Sequence, residues 1–290
     1  MRIARARVDD EAHVDRVTVR LDRVDVAAGA RGCLVDIDLA AAGQRVRRRE
    51  PGDAAADHRD AHRANLPAVS ARAVDVGGHP GLLLRPRGAR ALYVFAHGAG
   101  AGMRHAFMEA LAGALAERGV ATLRWEFPFM AAGKKRVDSP AVAEAAVREV
   151  WNASARLTKL PRFAGGKSFG GRMTSRAHAA EPLADLRGLA FVGFPLHPPE
   201  RPGIERAEHL ASAPGPMLFV QGTRDDLADL SLLRPVVAAL GSRATLHVID
   251  GADHGFSRKA DVPTAASTIA GWIDIVLACG RVTPRAMPRS

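Results

Sequence analysis

Cysteine is nearly absent from this sequence, and two residues, Cys33 and Cys279, are too few for a framework of disulfides. Long apolar runs are also missing. Stretches such as LAFVGFPL at 189–196 fall far short of the roughly 20 residues that cross a bilayer as a helix. The N-terminal stretch MRIARARVDDEAHVDRV carries charge throughout and has no apolar segment of the kind found in signal peptides. We therefore expect a cytoplasmic protein without a membrane segment.

Lysine is scarce as well. Only five of the 41 basic residues are lysine, so the formal net charge of +10 comes almost entirely from arginine. The arginines are spread along the chain, apart from the cluster RVRRR at 45–49. A short charged cluster is usually a solvated segment, and the sequence shows none of the motifs that read nucleic acid. We do not expect specific nucleic-acid binding.

The composition of the chain changes near residue 66. The preceding residues are rich in Arg, Asp, His and Ala, with too few apolar residues in most windows to build a core. Two short stretches, 17–26 and 33–40, alternate in the manner of strands, and a hairpin there remains an open alternative. We predict a poorly ordered extension over 1–65, one folded domain over 66–280 and a flexible tail over 281–290.

From residue 66 onward, short apolar runs alternate with stretches of helical periodicity. In 105–119, for example, Phe107, Leu111 and Leu115 recur every four residues and form one apolar face. The predicted strands are 90–97, 120–127, 161–168, 186–195, 215–225 and 244–254, and the predicted helices are 105–119, 139–157, 170–180, 227–241 and 262–278. Apolar strands that alternate with helices are typical of a parallel sheet covered on both faces. We predict a three-layer α/β fold, with a mostly parallel sheet flanked by helices on both faces.

A serine flanked by glycines, in GGKSFGG at 165–171, follows the third predicted strand. Gly166, Ser168 and Gly170 match G-x-S-x-G, in which a tight turn between strand and helix exposes the serine hydroxyl. Glycine is needed at 166 and 170 because a Cβ there would collide with the turned backbone. A phosphate-binding loop is the alternative interpretation, but the earlier glycine of that motif would fall at Pro161. The motif therefore predicts Ser168 as a nucleophile.

Partners for such a serine occur at the carboxyl ends of later strands, with Asp225 in GTRDD and His254 in GADHGF. A serine hydroxyl needs an imidazole to accept its proton, and the imidazole needs a carboxylate to orient it. The order Ser, Asp, His along the chain is the one found in α/β-hydrolases. Asp226 is the second choice for the acid and the expected N-cap of the following helix. Asp253 is a poor partner for His254, because neighbouring side chains usually diverge.

The tetrahedral intermediate of acyl transfer needs amide donors near the serine. One is expected from the N–H of Phe169, directly after the nucleophile, and the other from the glycine-rich loop HGAGAGM at 97–103. In that loop the N–H of Ala99 is the first choice and that of Gly98 the alternative. We expect the neighbouring pocket to include His97, Gly98, Gly100 and His197.

Seven segments carry a resemblance to a known family: HGAGAGMRHAFM (97–108), RWEFPF (124–129), RLTKLPRFAGGKSFGGRMTS (156–175), GFPLHPPERP (193–202), RAEHLA (206–211), MLFVQGTRDDL (217–227) and ADHGF (252–256). They resemble the α/β-hydrolase group that includes testis-expressed protein 30 and the hydrolase-like domain of non-specific lethal complex subunit 3, within the wider dienelactone-hydrolase-like branch. The resemblance implies an α/β-hydrolase fold and a triad of Ser168, Asp225 and His254. The group also includes chromatin-complex members that look like interaction parts.

We predict a serine hydrolase that cleaves an ester or related acyl bond of a small acyl substrate through an acyl-enzyme. The alternative is an interaction module of the same fold with little or no turnover. This chemistry needs no cofactor, and the histidines show no H-x-x-x-H or H-E-x-x-H pattern of metal ligands. Only the short segment 197–215 is available for a lid, so we expect an open pocket without a large lid. For Trp125, Phe127 and Phe129 core packing is the expected role.

Overall fold

The computed structural model describes residues 70–279. The predicted extension over 1–65 and the predicted tail over 281–290 lie outside the described residues, and so do the two stretches considered as a hairpin. Within the described range the chain forms one eight-stranded sheet with helices on both of its faces.

The sheet is mostly parallel. Its strands are β1 Arg72–Asp75, β2 Pro80–Leu84, β3 Ala91–Ala96, β4 Val120–Trp125, β5 Arg162–Lys167, β6 Leu186–Val192, β7 Met217–Arg224 and β8 Ala244–Asp253. They lie in the order β1-β2-β4-β3-β5-β6-β7-β8. The pairs β1–β2 and β2–β4 are antiparallel, and all other neighbours are parallel. The loops that follow β3, β5, β7 and β8 therefore meet at one edge of the sheet.

The helices cover the two faces of the sheet. They are α1 Ala106–Ala116, α2 Pro128–Ala131, α3 Pro140–Ser154, α4 Phe169–Ala180, α5 Leu230–Ala239 and α6 Asp261–Cys279. Helices α1 and α6 share one apolar cluster with the sheet, in which Phe163 and Trp272 pack edge to face. Helices α3, α4 and α5 share the other, around Phe191 and Phe219. Each helix contributes one apolar stripe to its cluster, as helical periodicity predicts.

The predicted three-layer α/β architecture is confirmed. All six predicted strands and all five predicted helices are present, with ends that differ by at most three residues. Sequence analysis missed β1 and β2, which are joined by a turn in which Gly77 and Gly78 have positive φ. The apolar signal of β1 is weak because only Val74 is partly buried in this edge strand, which is held by backbone pairing with β2.

Two further features concern access to the sheet edge. Residues 193–216, between β6 and β7, contain a single short helical element, the 3₁₀ helix Glu205–Ser212, so no large lid is present in the described part of the chain. Helix α6 is long and apolar enough to cross a membrane, with a mean hydropathy of 1.5. Its face with Ile269, Trp272 and Ile273 packs in the core instead, as in the central helix of a globular domain.

Candidate active site

Ser168 lies on a sharp turn between β5 and α4, with φ of 48° and ψ of −117°. Residues with a side chain rarely adopt this conformation, so the turn is strained. The neighbouring glycines make the turn possible. A Cβ on Gly166 would lie 2.4 Å from the carbonyl oxygen of Ala96, and a Cβ on Gly170 would lie 2.5 Å from that of His97. The serine turn therefore packs directly against the end of β3.

An imidazole is hydrogen-bonded to the hydroxyl of Ser168. Nε2 of His254 lies 2.9 Å from Oγ of Ser168, and Nδ1 of the same ring lies 2.8 and 2.9 Å from the two carboxylate oxygens of Asp225. The three residues directly follow β5, β7 and β8, and parallel strands bring their ends to the same edge. When Nδ1–H donates to Asp225, Nε2 is left to accept the serine proton. The structure thus brings together the three side chains named from the sequence.

The carboxylate of Asp225 has no exposed side-chain surface. Its Oδ1 accepts a hydrogen bond from the N–H of Leu227 at 2.9 Å, and its Oδ2 accepts from the side-chain amide of Gln221 at 2.5 Å. These donors compensate for the water that the buried charge has lost. Together with His254 they fix the carboxylate in one orientation.

Asp226, the second choice for the acid, is exposed. The expectation that Asp226 caps α5 is wrong. Helix α5 begins after Asp229, whose Oδ1 accepts from the N–H of Ser231 at 2.8 Å. The cap moves to Asp229 because the loop that carries Asp225 continues to residue 229 before the chain turns into the helix. Asp253 accepts hydrogen bonds from the N–H and hydroxyl of Ser257, away from the imidazole.

The glycine-rich loop after β3 lies against the serine turn. A Cβ on Gly98 would stand 3.7 Å from Cγ of Lys167 and 3.8 Å from Cβ of Ser168. Ala99 is exposed in this loop, and its N–H has no backbone acceptor within residues 70–279. The N–H of Phe169 is the first of helix α4, where helical geometry provides no acceptor. Neither N–H therefore has a backbone acceptor in the described residues, and Ala99 lines the same cavity as Ser168.

Two charged residues at the end of β4 hold the far end of this loop. Nη1 of Arg124 donates to the carbonyl of Met103 at 2.8 Å, and Oε1 of Glu126 accepts from the N–H of Met103 at 3.0 Å. Burial by itself raises the pKa of Glu126, but hydrogen bonding, including that from the N–H of Met103, outweighs it, so the pKa is lowered. The ionised carboxylate is thus favoured, and it keeps the loop attached to β4.

His97 and His197 do not line the pocket, contrary to expectation. Both are buried, and their ring nitrogens contact backbone groups. Nε2 of His97 accepts from the N–H of Phe127 at 3.0 Å. Nε2 of His197 accepts from the N–H of Asp229 at 2.9 Å, and its Nδ1 lies 2.9 Å from the carbonyl of Pro198. These contacts hold both rings inside the protein, where they position the loops.

The aromatic residues that follow β4 have the expected core role. Trp125, Phe127 and Phe129 are all at most 1% exposed. The rings of Phe127 and Phe169 meet edge to face with their centres 5.2 Å apart. This contact anchors the first residue of α4, directly after the serine.

A cavity of about 330 Å³ opens in front of Ser168, a volume within the range of small-molecule sites. Its wall is mainly apolar and includes Phe107, Met108 and Leu227. The full set of lining residues is Gly98, Ala99, Gly100, Ala101, His105, Phe107, Met108, Lys167, Ser168, Leu227, His254 and Gly255. Gly98 and Gly100 of the expected pocket are among them.

Lys167, the residue before the serine, brings an amine into this region. Its Nζ is buried and has no hydrogen-bond partner in the described part of the chain. The amine lies 5.6 and 6.0 Å from the ring centres of Phe256 and Phe107. Burial lowers the pKa of this amine to about 8, whereas the charges of Asp225 and Asp253 act in the opposite direction. Sequence reasoning missed Lys167 because the x positions of G-x-S-x-G carry no chemical requirement.

The arrangement has the parts needed for attack on a carbonyl carbon. A hydroxyl is hydrogen-bonded to a base, and the base is oriented by a buried carboxylate. Within residues 70–279, no group of three or more His, Cys, Asp or Glu side chains is placed to hold a metal ion.

Solved structures of several hydrolases are similar to this chain. A dienelactone hydrolase from Anabaena variabilis is 21% identical, with a TM-score of 0.59, over 71% of this chain and 96% of that chain. Est1E from Butyrivibrio proteoclasticus, with ferulic acid bound, is 17% identical, with a TM-score of 0.59, over 71% and 99% of the two chains. An α/β serine hydrolase without lid from Xanthomonas campestris is 18% identical, with a TM-score of 0.54, over 76% and 100%. At these identities the likeness shows the fold.

The family described as an alpha/beta hydrolase domain matches residues 89–277. Together with the similar solved structures, this match confirms the predicted α/β-hydrolase fold. The narrower resemblance to the group of testis-expressed protein 30 stays a prediction. Because the matched residues make up well over half of the sequence, this chain belongs to the alpha/beta hydrolase domain family.

Proposed function

We propose that this protein is a serine hydrolase that cleaves an ester or related acyl bond with Ser168, His254 and Asp225 as its catalytic triad. The observation that carries the proposal is the continuous chain of hydrogen bonds from Asp225 through His254 to Ser168, with distances of 2.8 and 2.9 Å. The hydrolase-fold family supports the same reaction class, and so do the similar solved structures, which include a dienelactone hydrolase and a serine hydrolase.

In the first half of the proposed reaction, Oγ of Ser168 attacks the carbonyl carbon while its proton passes to Nε2 of His254. Asp225 stabilises the imidazolium that forms. Collapse of the tetrahedral intermediate then breaks the bond to the leaving group, which takes the proton from His254. The acyl group remains bonded to Ser168.

In the second half, a water molecule attacks the acyl carbon and gives its proton to His254. The second tetrahedral intermediate collapses, the carboxylic acid leaves, and Oγ of Ser168 recovers the proton. The N–H groups of Phe169 and Ala99 donate to the oxyanion in both intermediates. A single donor of this kind typically contributes a factor on the order of 10²–10³ in kcat.

The proposed substrate is a small acyl compound. A cavity of about 330 Å³ and the absence of a large lid over residues 193–216 favour a short acyl group with an exposed leaving group. The proposal includes no cofactor, because the side chains at the site supply each proton transfer that the two half-reactions need. We propose a cytoplasmic location for this small-molecule enzyme. The reaction requires no particular oligomeric state.

Labelling by a fluorophosphonate tests the proposal directly, because the reagent reacts preferentially with an activated serine. We expect one label per chain on wild-type protein, at the peptide that contains Ser168, and none on Ser168→Ala. Ser231→Ala is the matched control, since Ser231 is exposed on α5 and its replacement leaves the site intact. Intact mass and peptide mapping measure the label. A folded wild-type protein that takes up no label would favour the interaction module instead.

A further inference from the structure

Lys167 places an amine beside the pocket, and no group in the described residues accepts a hydrogen bond from it. Lys167 is one of the residues that line the cavity in front of Ser168, and none of the described lining residues is acidic. Within residues 70–279 its Nζ is buried and has no hydrogen-bond partner. A buried cation without a partner is unfavourable in a folded protein, so an anion bound next to it would reduce this cost.

The two carboxylates that act on this amine are already occupied by other donors. Asp225 accepts hydrogen bonds from His254, from Leu227 and from Gln221. Asp253 accepts from the N–H and the hydroxyl of Ser257. Neither carboxylate forms an ion pair with Lys167, so residues 70–279 supply no direct counterion.

The amine lies directly behind the wall of the pocket. A Cβ on Gly193 would stand 2.9 Å from Nζ. On its other sides lie the rings of Phe256 and Phe107, and Phe107 is itself part of the pocket wall. The amine stands on a flexible four-carbon stem, and pairing with a molecule in the pocket requires this stem to turn the amine past the ring of Phe107.

We propose that the substrate carries a carboxylate on its acyl group, and that this carboxylate pairs with Lys167. The inference rests on the proposed serine hydrolase function and names its substrate class: monoesters of dicarboxylic acids, which have an apolar chain between two carboxyl groups. The apolar chain suits the wall formed by Phe107 and Met108. The acyl part is the relevant one because it stays bonded to Ser168, the neighbour of Lys167, through both half-reactions.

The charge state of the amine agrees with this role. Burial lowers its pKa to about 8, so at pH 7 most molecules carry the positive charge. If the amine were neutral at pH 7, it would not prefer a carboxylate to an uncharged group of the same shape.

Two matched esters test the proposal on wild-type protein at pH 7. The first is the mono-4-nitrophenyl ester of adipic acid, and the second is 4-nitrophenyl 5-carbamoylpentanoate, in which a carboxamide replaces the carboxylate. The chain length, shape and leaving group are the same. A charge-assisted hydrogen bond typically contributes enough to raise kcat/KM by about 10- to 100-fold, so we expect the acid to be preferred by that factor.

Substitution of the lysine tests the assignment to this residue. Lys167→Met keeps the length of the side chain and removes its charge, so the ratio of the two kcat/KM values should fall to about 1, as expected when the ion pair is lost. Lys159→Met is the matched control, because Lys159 is exposed and precedes the opposite end of β5. Its ratio should equal that of the wild type.

The outcomes separate the two proposals. Hydrolysis of either ester by wild type but not by Ser168→Ala supports the serine hydrolase function, and failure to hydrolyse both esters contradicts that function. If both esters are hydrolysed at equal rates by wild type, the carboxylate proposal is overturned while the hydrolase function stands. The same conclusion follows if Lys167→Met slows both esters by the same factor, since the lysine then acts on the triad rather than on the substrate.

Discussion

The side-chain amide of Gln221 donates a hydrogen bond to Oδ2 of Asp225 at 2.5 Å, while its carbonyl oxygen accepts from the N–H of Phe194 at 2.9 Å. Gln221 is fully buried on β7. Gln221 therefore links the carboxylate of Asp225, which orients His254, with the backbone just beyond β6. Its side chain provides a donor for Asp225 and an acceptor for the N–H of Phe194.

Gln221→Met should lower kcat for an ester substrate by about tenfold, which corresponds to loss of about 1.4 kcal/mol in the transition state. The reason is that Asp225 loses a donor that fixes its orientation, whereas the substrate pocket is unchanged, so KM should change less. The buried N–H of Phe194 also loses its acceptor, which should lower the free energy of unfolding by about 1–3 kcal/mol. Steady-state kinetics and urea unfolding measure the two effects. A loss of stability with an unchanged kcat would mean that Gln221 has a purely structural role.

Asp225→Asn should lower kcat on the order of 10³- to 10⁴-fold, because the amide no longer holds the imidazole in the reactive tautomer. Asp226→Asn is the matched control and should behave like wild type, since Asp226 is exposed. Both variants are compared by ester hydrolysis at pH 7. If only Asp226→Asn were inactive, the carboxylate of the triad would be Asp226 and not Asp225.

Ser168→Gly should be more stable than Ser168→Ala. Both variants lack the hydroxyl, but alanine keeps the strained backbone conformation at φ of 48°, which costs on the order of 1–3 kcal/mol for a residue with a Cβ. Part of this gain is offset by the greater freedom of glycine in the unfolded chain, so we expect a net difference of about 1 kcal/mol. Urea unfolding of the two inactive variants measures it. If the turn were not strained, Ser168→Gly would instead be less stable than Ser168→Ala by about 0.4–1 kcal/mol.

Gly166→Ala should destabilise the protein by about 2 kcal/mol or more, as overpacking of a rigid core does. The new Cβ would lie 2.4 Å from the carbonyl oxygen of Ala96, and neither strand can move without disturbing the sheet. Gly113→Ala is the control, because a Cβ on this glycine of α1 meets no atom within 4 Å. It should stabilise the helix by about 1 kcal/mol. Thermal unfolding of both variants measures whether each substitution lowers or raises the stability of the protein.

Lys167 should make stability depend on alkaline pH. Its pKa falls from 10.5 to about 8 on folding, so between these values the unfolded chain binds more protons than the folded protein and the free energy of unfolding rises with pH. Burial of the charged amine lowers the free energy of unfolding. This loss is fully present below pH 8 and is absent above pH 10.5. This loss of stability is about 3 kcal/mol, because each unit of the pKa shift corresponds to about 1.4 kcal/mol.

The difference between wild type and Lys167→Met isolates this effect from all other groups that titrate at alkaline pH. At pH 7 the variant should be the more stable protein, and the difference should shrink steadily as pH rises from 8 towards 10.5. Urea unfolding over this range measures both curves. Parallel curves would show that the amine is not desolvated in the folded protein.

Much of the fold followed from local patterns. The apolar runs that became β3 to β8 and the periodic stretches that became five of the helices were recognisable because each buries a continuous strand or one helical face. The edge strand β1 was not recognisable, because its pairing with β2 needs few apolar side chains. Within the candidate site, the positions of Ser168, Asp225 and His254 could be named because each follows a strand that reaches the same edge.

The orientation of individual side chains could not be predicted in this way. His97 and His197 stand in loops next to the site, and their sequence neighbours resemble those of pocket residues. Only the positions of Phe127 and Asp229 in space show that both rings are held by backbone N–H groups. The environment of Lys167 could not be predicted from the sequence either. Whether its Nζ has a hydrogen-bond partner among the described residues depends on groups from several separate segments.

The sequence by itself determined the alternation of strands and helices and the tight turn at Ser168, because periodicity and glycine spacing are local properties of the chain. The tertiary structure alone decided that Asp225 rather than Asp226 meets the imidazole, that His97 and His197 face the backbone, and that the amine of Lys167 is buried without a partner. Burial and hydrogen bonding are set by segments far apart in the sequence, so they exist only once the sheet has brought those segments together.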